Sequence, residues 1–138
     1  MENTQLIILT VVAMVAIALL GFLRTNELAL VQGDSMAPTF SNCTLAVVNH
    51  EFAPSDLLPG DIASVDISSQ NAAFSQVAHR VVENNTEQQV FSTRGDNDSY
   101  YAFPSSIDGF FSYSEFQGLV TNNYNIPEFF CKQNGGEN

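Results

Sequence analysis

Residues 76 to 82 read QVAHRVV, and this stretch decides the fold class. Its side chains alternate between two faces, so that Val77, His79 and Val81 lie together on one of them. Alternation with a period of two is typical of a β-strand and does not fit a helix. The segment therefore predicts a strand that holds an imidazole in a row of apolar neighbours.

The chain on either side of this strand is divided into short apolar runs separated by turn residues. No stretch after residue 23 keeps the 3.6-residue apolar period of a helix. The runs predict six strands, at Leu28–Gln32, Leu45–Asn49, Asp61–Ile67, Gln76–Glu83, Gln88–Thr93 and, more weakly, Gly118–Thr121. The fold class that follows is mainly β.

The connections between these runs have their own signals. Asn84-Asn85 predicts a hairpin turn because asparagine tolerates positive φ, and Pro54–Gly60 (PSDLLPG) predicts a loop. Ser68–Ala73 is a polar connection, and Gln133–Asn138 is a flexible tail. The segment Tyr100–Phe116, rich in Tyr, Phe and Ser, fits either a long loop or a pair of short helices.

An apolar segment precedes the β-rich part. Leu6–Leu23 contains eighteen residues without a charge, which as a helix span roughly 27 Å, close to the hydrocarbon thickness of a bilayer. A cleaved secretory signal would need a basic start, and Met1–Gln5 contains no Lys or Arg. We therefore expect a short N-terminal segment (1–5), a transmembrane anchor (6–23), a β-rich domain (24–132) and a tail (133–138).

The charge balance excludes some partners. Fifteen acidic and four basic residues give a formal charge of −11. Such a chain does not bind nucleic acid and is not held to an anionic bilayer by electrostatics. An acidic surface suits attraction of a basic peptide or solubility in salty surroundings, and the sequence favours neither.

The side of the membrane is signalled in two conflicting ways. Arg24, directly after the apolar segment, would by the positive-inside bias place the domain in the cytoplasm. Two cysteines, Cys43 and Cys131, fit an exported, oxidising compartment, although they are equally consistent with buried thiols. Three glycosylation sequons also fit export; they begin at Asn42, Asn84 and Asn97.

Ser35, in VQGDSMAPTF (31–40), is either a turn residue or a nucleophile. A serine nucleophile needs a base that accepts its proton near neutral pH. Lys132, the only lysine, adjoins a Gly-rich tail where it would be solvated and protonated, and His50 at a strand end reads as an exposed loop residue. His79 is the better base, although a core histidine with a satisfied hydrogen bond fits the same pattern.

An acid that orients the base would complete a catalytic set. The stretch STRGDNDSYY offers Asp96 and Asp98 directly after a predicted strand. The same residues make a favourable turn, so their role stays open on the pattern alone.

Four of these segments together resemble a known family. GDSMAPTF, PGDIASVD, HRVV and TRGDND occur in the order and approximate spacing of the motifs of the type I signal peptidases, which are membrane-anchored serine proteases. The histidine in HRVV makes the chain similar to the archaeal and endoplasmic-reticulum subtype, because bacterial members have lysine there. The resemblance runs from about Val31 to Asn97.

The resemblance implies a catalytic domain of coiled antiparallel sheets at the outer membrane surface. Ser35 would be the nucleophile and His79 the general base. The family's acid usually lies several residues after the Gly-Asp-Asn motif, where this chain has Tyr101 and Ala102, so Asp96 or Asp98 is expected to take its place.

The resemblance also implies where substrate is held. The oxyanion and substrate-binding positions would be Gly33, Asp34 and Met36. Many members have a serine where this chain has Gly33, so the oxyanion would be left to backbone N–H groups such as that of Ser35. An extended substrate would pair with the strand before Ser35 and with Asp61–Ile67.

Function follows as an expectation from the same resemblance. The chain would remove signal peptides from exported preproteins that carry small residues at the first and third positions before the cut. Its partners would be these preproteins, the bilayer and accessory membrane subunits, and no metal or cofactor is implied. We expect a single-pass membrane protein with an extracytoplasmic catalytic domain, since the family's orientation outweighs Arg24.

Two other functions remain as alternatives. One is a catalytically impaired, membrane-anchored binding module that keeps the fold without its acid. The other is a self-cleaving repressor-type protease, which has a similar serine motif but uses a lysine base; it is disfavoured because Lys132 lies past every motif.

Overall fold

The computed structural model describes residues 2–69, 75–103, 106–127, 129 and 131. Its elements are helix α1 (Glu2–Thr25) and strands β1 (Asn26–Val31), β2 (Thr44–Asn49), β3 (Ile62–Asp66), β4 (Gln76–Asn85), β5 (Val90–Arg94), β6 (Gly109–Ser112) and β7 (Phe116–Asn125). Three single 3₁₀ turns lie at Pro54–Asp56, Asp98–Tyr100 and Tyr113–Glu115.

Helix α1 contains the predicted apolar segment and extends it at both ends. Its residues Asn3–Thr25 are long and apolar enough to cross a membrane, and none of the helix is buried against the rest of the protein. The chain leaves the helix at Asn26, whose amide Nδ2 donates to the carbonyl of Phe22 at 3.0 Å. Strand β1 therefore begins directly at the end of the helix.

The strands form one antiparallel sheet in the order β1-β2-β7-β3-β4-β5-β6. This confirms a mainly β, antiparallel fold after an N-terminal apolar helix, and a single sheet takes the place of the several that we expected. Strand β1 pairs only with β2 among the described residues, so one of its edges is open.

All six predicted strands are present. Five of them have bounds within two residues of the predicted ones, and β7 is longer than the predicted Gly118–Thr121. That strand pairs with β2 on one side and with β3 on the other. The first part of β7, up to Leu119, pairs with β3, and the part from Leu119 to Asn125 pairs with β2. Two successive partners therefore hold the strand over ten residues, which local composition did not signal.

The predicted turn at Asn84-Asn85 is wrong, because both residues belong to β4, and the chain reverses at residues 86–89. Tertiary hydrogen bonds hold Asn84 in the strand. Its Nδ2 donates to the carbonyls of Pro54 and Leu57, each at 3.0 Å, and its Oδ1 accepts from the Tyr113 hydroxyl at 2.7 Å. These partners come from elsewhere in the sheet domain and outweigh the local turn preference of asparagine.

The segment Tyr100–Phe116 is neither a plain loop nor a pair of helices, since it contains β6. Phe111 of this strand is buried and its ring lies 6.0 Å from that of Phe91. The predicted tail 133–138 and most of the predicted connection 68–73 lie outside the described residues.

Strands β3, β4, β5 and β6 supply most of the hydrophobic core. Its buried apolar members are Leu57, Ala63, Val65, Val81, Phe91 and Phe111. Away from this cluster, Cys43 is fully buried and forms a disulfide with Cys131, 88 residues further along the chain. The pairing that the sequence left open therefore ties the β1–β2 loop to the C-terminal part of the protein.

Candidate active site

Ser35 lies in the loop that joins β1 to β2, and buried side chains anchor this loop. Met36 and Phe40 are buried, and the backbone N–H of Ala37 donates to the Asp34 carbonyl at 3.0 Å. Gly33 opens the loop with φ +100°, a conformation that L side chains rarely adopt. The loop therefore presents the side chain of Ser35 from a fixed turn.

The Ser35 hydroxyl meets His79. Its Oγ lies 2.9 Å from Nε2 of the imidazole, although the two residues are 44 apart in the chain. His79 is 8% exposed and pairs with Ala63 of β3. A hydroxyl oxygen and an imidazole nitrogen at this distance are within reach for proton transfer. The two residues singled out in the sequence are thus brought together.

The other ring nitrogen of His79 meets a carboxylate that the sequence did not single out. Nδ1 lies 2.6 Å from Oδ2 of Asp108. Asp108 comes directly before β6, and its backbone N–H donates to the Thr93 carbonyl at 2.8 Å. Because Val81 pairs with Thr93 and Thr93 with Gly109, the register of β4, β5 and β6 carries Asp108 to His79.

The expectation that Asp96 or Asp98 orients His79 is therefore corrected. Both oxygens of Asp96 are bound by Arg80, at 2.7 Å from Nε and 2.6 Å from Nη2. Asp96 also accepts from the Thr39 hydroxyl. Asp98 is 89% exposed and accepts from Arg94 at 2.7 Å. Both carboxylates are paired with arginines because the turn after β5 directs them away from the imidazole.

Asp96 instead joins the strand that carries His79 to the loop that carries Ser35. Arg80 is the neighbour of His79 on β4, and Thr39 lies in the loop that carries Ser35. The hydrogen bond from Arg80 is the largest influence on Asp96 and lowers the pKa of its carboxyl, against the opposing effect of burial. The carboxylate of Asp96 is therefore ionised, and it links β4 to the loop that carries Ser35.

The residues on either side of Asp96 hold the backbone at Ser35. The Asn97 backbone N–H donates to the Ser35 carbonyl and its Nδ2 donates to the Asp34 carbonyl, both at 2.9 Å. Gly95 packs so closely on the Ser35 carbonyl that a Cβ has no room there. The stretch GDN (95–97) thus acts as a clamp on the loop that carries Ser35.

Asp108 has three side-chain partners. Besides His79, it accepts from the Thr93 hydroxyl at 2.9 Å on Oδ2 and from the Tyr101 hydroxyl at 2.6 Å on Oδ1. Burial raises the pKa of Asp108, but the bonds from His79 and Tyr101 outweigh it, so that the net pKa lies below the usual carboxyl value. The acid is therefore ionised at neutral pH and able to stabilise an imidazolium.

A groove of about 360 Å³ leads to Ser35. Much of its wall is made of small and apolar side chains, among them Ala29, Val31, Ala46, Val48, Val77 and Ala78. Of the three expected substrate-binding residues, Gly33 and Asp34 line the groove. Met36 does not, because its side chain is buried beneath the loop. The backbone N–H of Ser35 has no acceptor within the described part of the chain.

Two edges flank this groove, and one of them differs from the expected edge. Strand β1 has an open edge, as predicted for the strand before Ser35. Strand β3 is paired on both sides, so Asp61–Ile67 offers no edge to a substrate. On β4, pairing with β5 begins at Arg80, which leaves Gln76–His79 without a strand partner on that side in the described chain.

His50 lies outside this arrangement. Its Nε2 faces the Glu27 carboxylate at 3.2 Å, and its Nδ1 faces the Gln117 carbonyl at 2.9 Å. No group of three or more His, Cys, Asp or Glu side chains among the described residues is arranged to hold a metal ion.

Comparison with known proteins gives no match to a family model, to a curated protein or to a solved structure. Among the three residues joined at the candidate site, Asp108 is the one that sequence reasoning missed. The only local signal was the pattern SIDGFF, in which an aspartate and a glycine precede two aromatic residues at a strand start.

Proposed function

We propose that this chain is a membrane-anchored serine endopeptidase of the type I signal peptidase class, archaeal and endoplasmic-reticulum subtype, which removes signal peptides from exported preproteins. The observation that carries the proposal is the continuous chain of contacts from Ser35 Oγ to His79 Nε2 (2.9 Å) and from His79 Nδ1 to Asp108 (2.6 Å) at the end of an apolar groove. A nucleophile, a base and an orienting acid in this order are the parts that acyl transfer requires.

The geometry supports the following steps. Ser35 Oγ attacks the scissile carbonyl while His79 Nε2 takes the hydroxyl proton. Asp108 accepts the Nδ1–H bond, which keeps the tautomer whose Nε2 accepts, and its charge stabilises the imidazolium. His79 then gives the proton to the leaving amine, and water releases the acyl group from Ser35 by the same steps in reverse order.

The developing oxyanion needs a donor. The backbone N–H of Ser35 can supply it, since it has no acceptor within the described residues. Gly33 brings no hydroxyl, and its φ of +100° disfavours a serine at this position. One donor fewer typically costs on the order of 100-fold or more in rate, so we expect slow turnover.

The substrate class is supported by the groove. An extended peptide would lie between the open edge of β1 and Gln76–Ala78 of β4, where both backbones have groups left to pair. The small apolar walls near Ser35 suit small side chains at the first and third positions before the cut. Bulky residues there would contact the wall before the carbonyl reached Oγ.

The position of the site supports a membrane-borne substrate. Helix α1 runs directly into β1, and nine residues, 26 to 34, separate its end from Ser35. That short tether keeps the site near the headgroups, where a signal peptide leaves the hydrocarbon. The Cys43–Cys131 disulfide supports an oxidising, extracytoplasmic side.

The test is cleavage of a preprotein by the full chain in detergent micelles, with the new N-terminus read by mass spectrometry. Ser35→Ala and His79→Ala should abolish cleavage, and Ser55→Ala, an exposed serine in a short turn, is the matched control. Undiminished cleavage by either active-site variant would refute the assignment.

Two other results would point to the alternatives. Preprotein that binds the wild-type chain and is never cut would indicate the binding module. Cleavage of the chain by itself, lost in Lys132→Ala, would indicate the repressor-type protease.

A further inference from the structure

Tyr101 contacts two parts of the site through its hydroxyl, although it takes part in no step of the proposed reaction. Its hydroxyl donates to Oδ1 of Asp108 at 2.6 Å and accepts the backbone N–H of Gly95 at 2.5 Å. A phenol has one hydrogen, so the Gly95 bond fixes which way that hydrogen points. The hydroxyl therefore ties the acid to the clamp on the Ser35 carbonyl.

We propose that Tyr101 is a positioning residue of the active site, which acts through Asp108 and fixes the carboxylate relative to His79 and Ser35. The expected effect on kinetics rests on the proposed function. The expected effect on structure rests only on the contacts of the Tyr101 hydroxyl.

The two carboxylate oxygens of Asp108 have different hydrogen-bond partners. Oδ2 faces His79 and Thr93, and Oδ1 is taken by Tyr101. A carboxylate held at both oxygens in this way cannot rotate about its Cβ–Cγ bond without breaking these three hydrogen bonds. The distance of 2.6 Å to Nδ1 is thereby maintained while the imidazole gains and loses its proton.

The ring of Tyr101 is held as firmly as its hydroxyl. The guanidinium carbon of Arg94 lies 4.1 Å from the ring centroid, and Nη1 of the same arginine donates to the carbonyl of Ser106 at 2.6 Å. Arg94 therefore fixes both the ring and the chain just before Asp108.

The titratable and charged groups around this pair are few. His79 from β4 and Tyr101 face Asp108, and Arg94 from β5 lies over the tyrosine ring. Asp96 lies in the neighbouring turn, where His79 contributes to lowering its pKa. Burial and the bond to Asp108 raise the pKa of Tyr101 to about 12, so the hydroxyl keeps its proton throughout the working range.

The first experiment compares Tyr101→Phe with Tyr113→Phe in the preprotein assay. Tyr113 is the matched control because its hydroxyl also makes a 2.7 Å bond, to Asn84, away from the site. We expect kcat to fall about 10- to 100-fold in Tyr101→Phe with KM unchanged. A kcat equal to that of the wild type would overturn the proposal.

A second readout does not require activity. In NMR spectra, the His79 Nδ1–H and Gly95 amide signals should both move in Tyr101→Phe and stay in place in Tyr113→Phe. If the wild type cleaves nothing but these signals move as stated, the proposed function fails and the positioning role stands. Signals that do not move in Tyr101→Phe would overturn it whatever the activity.

If Tyr101→Phe does not fold, the wild-type protein still decides. In its NMR spectrum near neutral pH, the Tyr101 hydroxyl proton should exchange slowly with water and lie close to the Gly95 amide proton. A Tyr101 hydroxyl proton that exchanges as fast as those of the exposed Tyr100 and Tyr124 would overturn the proposal.

Discussion

The two histidines of this chain each face a carboxylate, but their second ring nitrogens face different groups. His79 has Asp108 at one nitrogen and the Ser35 hydroxyl at the other, and it is nearly buried. His50 has Glu27 at one nitrogen and the Gln117 carbonyl at the other, and its side chain is 39% exposed.

A hydroxyl can donate to an imidazole nitrogen, whereas a carbonyl oxygen can only accept. His79 therefore keeps an accepting nitrogen next to a proton that it can remove. His50 faces two acceptors and is suited to fasten the end of α1 to the sheet, which its backbone N–H also does by donating to the Thr25 carbonyl at 3.0 Å. A carboxylate partner alone does not make a histidine a base.

The largest expected effect separates the histidines themselves. His79→Ala should lower kcat for preprotein cleavage by on the order of 10⁶-fold, the scale found when a triad base is removed. His50→Ala should change kcat by less than about twofold, since it lies outside the groove. The measurement is the cleavage rate of each folded variant. Equal losses of kcat in the two variants would show that the two histidines do not differ in role.

The next test replaces the carboxylate partner of each histidine by the corresponding amide. Asp108→Asn should lower kcat about 10⁴-fold, because an amide favours the wrong tautomer of His79. Glu27→Gln should leave kcat unchanged and cost less than about 1 kcal/mol of unfolding free energy, as is usual for an exposed pair. Steady-state kinetics and urea denaturation give the two quantities. Normal turnover in Asp108→Asn would show that another group orients the base.

Asp96 sharpens the comparison, because it lies close to His79 without contacting it. Asp96→Asn removes a charged acceptor from Arg80 and should cost about 1.5–3 kcal/mol of unfolding free energy. The loss in kcat should stay within about 100-fold, since only the placement of the nucleophile loop changes. A loss as large as that of Asp108→Asn would contradict the assignment of roles.

The smallest effect is the response to acid. In the folded protein, the pKa values of Asp96 and Asp108 both lie below the ordinary aspartate value, because Arg80 donates to Asp96 and because His79 and Tyr101 donate to Asp108. Their contribution to stability is therefore complete above the ordinary carboxyl pKa and is lost as pH falls through the lowered ones. The urea midpoint should decrease as the pH falls below about 4, less steeply in Asp96→Asn. An unchanged slope in that variant would show that Asp96 is not linked to folding.

The contrast also explains what sequence reasoning reached at the site. Ser35 and His79 were identified because few residues in this chain have the required chemistry: one lysine and two histidines. Asp108 was missed because fifteen carboxylates are present and local pattern does not rank them. Asp96 and Asp98 stand in a motif, but their pairing with arginines depends on where the turn after β5 directs them.

The sequence by itself determined the elements whose signals are local. An uncharged run of eighteen residues specifies a helix, and alternation in QVAHRVV specifies a strand, because both depend on neighbouring side chains. Only the tertiary structure decided the order of the sheet, the strand conformation of Asn84 and the choice of Asp108. These depend on hydrogen bonds between residues far apart in the chain, such as His79 and Asp108, which are 29 positions apart. Local sequence patterns carry no information about such contacts.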